Sequence, residues 1–118
     1  MQSIEVFRKA EQVRHASTGE VVFAAGEEGD VMYAVLEGSV DIVVDDVVVE
    51  RVELGGFFGE MALIDQAPRS ATAIASTNCR LAEINREQFE QLIIESPLFG
   101  ITVMEKMAVR LRRANKHT

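Results

Sequence analysis

The chain has 118 residues, 47% of them apolar, which suits one ordinary domain, 1–118, built around one core. Nineteen acidic residues against twelve basic ones leave a net charge of −7, which argues against direct nucleic-acid binding, because phosphate contacts need clustered Lys and Arg. No apolar run approaches the ~20 residues that span a membrane, Met1 to Arg8 hold no signal core, and the lone Cys79 excludes an internal disulfide, so the expected setting is cytoplasmic.

Ile4, Phe7 and Ala10 recur at helical spacing and predict a short helix over Ser3–Ala10. From about residue 19 to 84, β-branched runs are punctuated by Gly, Asp and Asn. Strands are predicted at Val21–Phe23, Val31–Leu36, Val40–Val44, Val47–Leu54, Ala71–Ala75 and Arg80–Ile84. Asp45-Asp46 divides two apolar runs as a tight hairpin does, and Gly26–Asp30 and Glu37-Gly38 supply further turns. Many short strands so joined predict a mainly β fold, a jelly-roll-like β-roll, with helices flanking it at both ends.

After Ile84 the period changes. Asn85-Arg86-Glu87-Gln88 has the form of a capping box, and Phe89, Leu92 and Ile93 share one apolar face. Ser96-Pro97 starts a second helix, predicted to reach about Lys116, so the carboxy-terminal helices occupy about 85–116. On this last helix Met104, Met107, Leu111 and Ala114 form a narrow seam for the core or for a second copy. Lys106, Arg110, Arg112, Arg113 and Lys116 are expected to form a solvated face.

The chemistry concentrates in Gly55-Gly56-Phe57-Phe58-Gly59-Glu60-Met61-Ala62-Leu63 and Pro68-Arg69-Ser70-Ala71-Thr72-Ala73. The glycines allow close backbone approach, and Glu60–Ile64 reads as a helical turn whose first amides lack partners. Arg69 offers a permanent bidentate charge to phosphate oxygens. Glu60, an acceptor only, would repel phosphate but suits a ribose hydroxyl, and is expected to orient Arg69 as well. A phosphate donor and a hydroxyl acceptor, nine residues apart across a loop, describe a site for a sugar phosphate.

The two segments resemble the phosphate-binding cassette of the cyclic nucleotide-binding domains, found in the catabolite activator family, protein kinase A regulatory subunits and cyclic nucleotide-gated channels. The family's Phe-Gly-Glu and Pro-Arg-(small)-Ala-(Thr) stand here as Phe58-Gly59-Glu60 and Pro68-Arg69-Ser70-Ala71-Thr72. Gly19 to Phe23 and Gly26 to Tyr33 resemble the family's early strands. From Arg69 to Asn115 the spacing is that of the catabolite activator family, whereas Glu60 to Arg69 has the kinase-type spacing, one residue shorter.

The resemblance implies a ligand-binding set of Phe58, Gly59, Glu60, Met61, Ala62, Arg69, Ser70, Ala71 and Asn115. Arg69, Ser70, the Ala71 amide and the Gly59 turn would cradle a cyclic phosphate, and Glu60 would hold the ribose 2′-hydroxyl. The base would lie on apolar strand residues under the last helix, where Ala114 and Asn115 stand at the positions of a hydroxyl-bearing pair, one of which reaches the adenine across a dimer. Ser70 favours cyclic AMP over cyclic GMP as the ligand. No cofactor or metal is expected: His15 and His117 are the only histidines, neither in a ligand-spaced cluster. Nor is an enzyme, since Ser70 lacks a histidine partner in sequence and no nucleophile elbow occurs. The expected role is a sensor acting through an effector protein, with the carboxy-terminal helix open to homodimerisation. The competing expectation is a β-roll dimerisation or protein-interaction module that no cyclic nucleotide switches.

Overall fold

The computed structural model describes residue 7 and residues 10–115; apart from Phe7 and Ala10, the expected helix over Ser3–Ala10 lies outside the described residues. Eight strands follow in order: β1 (Gln12–Ala16), β2 (Val21–Phe23), β3 (Val31–Glu37), β4 (Val40–Val44), β5 (Val47–Val52), β6 (Phe57–Phe58), β7 (Thr72–Ala75) and β8 (Cys79–Asn85). A single turn of helix, α1 (Met61–Ile64), separates β6 from β7, and α2 (Arg86–Glu95) and α3 (Pro97–Asn115) complete the chain. The strands form two antiparallel four-stranded sheets, ordered β1-β8-β3-β6 and β2-β7-β4-β5. This is the β-roll with carboxy-terminal helices that the turn spacing predicts.

The strand β3 shows why a continuous apolar run becomes a strand here. Its alternate residues enter different cores: Tyr33 and Val35 pack between the sheets with Val22, Phe23, Phe58 and Leu81. Met32 and Ala34 face the helices, packing with Phe57, Ala82, Ile84, Phe89, Phe99 and Val103. Both faces are buried, so the period of two leaves no polar trace in the sequence. Between β4 and β5 the chain reverses in two residues. Asp45 and Asp46 take φ of 51° and 65°, the left-handed pair that matches strand twist and that aspartate tolerates better than most side chains.

Asn85 caps α2 as predicted: its side chain accepts from the Gln88 amide, and the Gln88 side chain accepts from the Asn85 amide. Of the seam expected on α3 for the core or a second copy, only Met107 joins the core. Phe99 and Val103 are buried and Met107 packs beside them, whereas Met104 is 63% exposed. The apolar face runs 99-103-107, because a helix lying along a sheet repeats every three to four residues from its first buried anchor, here Phe99. Two strands went unpredicted. The strand β1 is an edge strand with an exposed outer face, and β6 is two residues long within the glycine-rich segment. No described helix is long and apolar enough to cross a membrane.

Candidate functional site

Between α3 and the second sheet lies a cavity of about 330 Å³, near the lower end of the size usual for small-molecule sites. Phe58, Gly59, Glu60, Met61, Ala62, Arg69, Ser70 and Ala71 all line it. Asn115 is the last residue of α3, and its side chain lies outside what the structure describes. Ile42, Val44, Val49, Leu111 and Ala114 supply an apolar wall.

Arg69 is held in place by its own backbone. Its amide donates to the Glu27 carbonyl and its carbonyl accepts from the Gly26 amide, both at 2.8 Å, which ties the segment before β7 to the turn after β2. The side chain is buried, 7% exposed. Its Nη1 donates to the Gly59 carbonyl at 3.0 Å and Nη2 to the Val31 carbonyl at 2.7 Å. Its central carbon sits 4.0 Å from the Phe23 ring centroid, and Phe23 is itself packed on Tyr33 and Phe58. Nε is a buried nitrogen with no hydrogen-bond partner among the described residues. Burial pushes the Arg69 pKa down, partly offset by Tyr33, Asp30, Glu27 and Glu60. Two N–H groups of the five on a guanidinium are committed to carbonyls and Nε is buried against Gly29, so the second N–H of each Nη remains for an anion. Gly59 has φ of +81°, and a Cβ there would crowd Arg69 Nη1 at 2.8 Å, so glycine is required at this close approach.

Glu60 occupies the N-cap position of α1 but makes no capping bond. It is 1% exposed, and Oε1 accepts from Arg110 Nη1 at 2.6 Å. The sequence reading had Glu60 orient Arg69. The structure pairs it with Arg110 instead, because α3 brings a second guanidinium over the cassette. The expectation of a solvated cationic face is likewise corrected for Arg110, whose side chain is 12% exposed. Arg110 also forks onto Glu50, through Nε at 3.1 Å and Nη2 at 2.9 Å, and donates to the Phe57 carbonyl at 2.9 Å. Lys106 and Arg113 reach the same Glu50 at 3.5 and 3.3 Å. Burial opposes ionisation of Glu50, yet Arg110, Lys106 and Arg113 outweigh it and lower its pKa to about 2.

The sequence reading missed Arg110 and Glu50 as members of this cavity. The signal appears only once Phe99 and Val103 set the phase of α3: position 110 continues the face 99-103-107, and a cation on an apolar stripe needs a buried partner.

The comparisons with known proteins fit this architecture. The family model described as cyclic nucleotide-binding domain matches residues 13–96. The chain belongs to that family. It is 39% identical over 87% of its length to a cyclic nucleotide-gated potassium channel of Mesorhizobium japonicum, covering 29% of the channel. It is 38% identical over 66% of its length to a cAMP-dependent protein kinase regulatory subunit of Eremothecium gossypii, covering 17% of that protein. The chain thus spans less than a third of either relative. A solved structure from a cyclic-GMP-dependent signalling pathway that regulates bacterial phytopathogenesis superposes with a TM-score of 0.79 at 27% identity, over 95% of this chain and 93% of that one. The cassette resemblance is therefore a family relationship.

Proposed function

We propose that this cyclic nucleotide-binding domain takes cyclic AMP in the cavity beneath α3 and uses it as a regulatory signal, not as a substrate. The observation that carries the reading is that the two buried charged residues among the described ones, Glu60 and Arg69, both line that one cavity. The N–H groups that Nη1 and Nη2 of Arg69 leave free, with the exposed Ser70 beside it, suit a singly charged phosphodiester. Glu60, balanced by Arg110, is an acceptor for the ribose 2′-hydroxyl and is kept from repelling the ligand. The wall of Ile42, Val44, Val49, Leu111 and Ala114 offers the base an apolar surface. With Leu111 and Ala114 in that wall, ligand contact and the position of α3 are one equilibrium, which gives the module an output.

Cyclic AMP is favoured by Ser70 and by the relationship to a cAMP-dependent kinase subunit; cyclic GMP is the rival. Asn115 would read the base, and the exposed Ile101 and Met104 of α3 would meet a second copy or an effector protein. Calorimetric titration with cyclic AMP and cyclic GMP in parallel tests the proposal. Saturable binding with tighter cyclic AMP is expected; heat of dilution alone for both nucleotides would overturn it.

A further inference from the structure

Glu50 lines the cavity from β5, outside the cassette, and its surroundings are unusual. Three cations from successive turns of α3 converge on this single carboxylate of β5. Its side chain is 12% exposed, so these contacts are largely shielded from water and worth more than surface pairs. Arg110 gives Glu50 two bonds and Glu60 one. The fork of a guanidinium is rigid and planar. Once Nε and Nη2 are seated on Glu50, the direction of Nη1 is set, and it meets Glu60. The neighbouring contacts are graded: Lys106 is 42% exposed at 3.5 Å, and Arg113 is 29% exposed at 3.3 Å. Arg113 donates from both Nη1 and Nη2 but to the single oxygen Oε1, and Lys106 offers one nitrogen, so neither has the two-oxygen fork of Arg110.

We propose that Glu50 is a positioning residue for nucleotide binding: it seats Arg110 so that Glu60 is held in the acceptor geometry for the ribose, and it fastens α3 over the cavity. Glu50 needs no contact with the ligand to do so. Loss of its charge leaves the Arg110 fork unanchored, and both the ribose contact and the cover over the base loosen together. This inference rests on the cavity being the cyclic nucleotide site.

The test uses the whole chain and the variants Glu50→Gln, Glu50→Asp and Lys106→Ala, each checked for native circular dichroism. Glu50→Gln should weaken cyclic AMP binding by about five- to a hundred-fold, the usual span of a coupling between sites. It should also shrink the penalty for 2′-deoxy cyclic AMP, which a merely structural role would leave unchanged. Glu50→Asp keeps the charge and should recover part of both effects. Lys106→Ala should stay within about threefold of wild type, as expected for an exposed pair. Hydrogen exchange across α3 without nucleotide should speed up in Glu50→Gln and not in Lys106→Ala. Unchanged affinity and unchanged 2′-deoxy penalty in Glu50→Gln, with a wild type that binds, would overturn the inference alone. A wild type that binds neither nucleotide would overturn the functional reading, and the exchange experiment would still report whether Glu50 fastens α3.

Discussion

Two arginines line one cavity, Arg69 buried and Arg110 largely so, and they are solvated by the protein in opposite ways. Arg69 sees two carbonyls and an aromatic face, makes no salt bridge among the described residues, and has its pKa lowered by burial. Arg110 sees two carboxylates and a carbonyl; burial opposes its charge, but the Glu50 and Glu60 interactions prevail and its pKa is raised. A guanidinium buried without a counter-ion carries an uncompensated charge, which an arriving anion relieves. One already paired with carboxylates gains little from a ligand and is instead a fastening. The first is suited to recognition and the second to architecture, although both are arginines of the same cavity.

The largest expected effect breaks the second site. Arg110→Ala would leave Glu50 and Glu60 buried without their shared partner, and removing one member of a buried pair costs about 3–5 kcal/mol. Urea unfolding should show that loss even without nucleotide. A cost below about 1 kcal/mol would mean that Arg110 is not the fastening the geometry indicates.

Acid probes the same site more gently. The folded-state pKa of Glu50 lies at about 2, below its ordinary value of 4.5, so the stability it contributes is complete above about pH 4.5 and lost as pH falls through about 2. The shift corresponds to about 3 kcal/mol. Thermal melts from pH 5 to pH 2 should therefore fall more steeply for wild type than for Glu50→Gln. Parallel curves would show that Glu50 is not held ionised by the three cations.

Removing the first arginine should separate binding from stability. Arg69→Ala removes the side chain proposed to hold the phosphate, and as a charge-assisted contact is worth about 1.5–3 kcal/mol, it should weaken cyclic AMP binding by roughly ten-fold to more than a hundred-fold. Its cost in urea unfolding should be smaller than that of Arg110→Ala. A substitution that touches neither side chain sharpens the point. A Cβ on Gly29 would run into Nε and the central carbon of Arg69, so Gly29→Ala should reproduce part of the affinity loss with Arg69 still present. Wild-type affinity in either variant would remove Arg69 from the site.

How much of this was legible in the sequence depends on how local each feature is. The capping box at Asn85, the Asp45-Asp46 reversal and the strands from β2 to β5 are written within a few residues. The cassette is written within about fifteen residues, and all eight residues expected from it line one cavity. The strand β1 was not legible, because Gln12-Val13-Arg14-His15-Ala16 buries only Ala16 fully and forms by pairing with β8, some sixty residues on. Arg110 was hidden for a related reason. Its partners Glu50 and Glu60 lie sixty and fifty residues earlier in the chain, and only the phase of α3 set by Phe99 and Val103 turns it inward.

The smallest expected effect concerns the ribose, where the two arginines meet through Glu60. Glu60 Oε1 is engaged by Arg110, while Arg69 is a further neighbour that feels its charge. A carboxylate so balanced accepts a hydroxyl hydrogen bond without repelling the nearby phosphate. Removing the ligand's 2′-hydroxyl should then cost roughly ten-fold in affinity, about 1.4 kcal/mol, for wild type. In Glu60→Ala the acceptor is gone, so cyclic AMP and its 2′-deoxy analogue should bind nearly equally, both more weakly than cyclic AMP binds wild type. The interaction is read from the difference of differences in a ligand–protein cycle, which cancels any general loosening of α3. A full 2′-deoxy penalty surviving in Glu60→Ala would place the ribose acceptor elsewhere and leave Glu60 as the second anchor of Arg110 only.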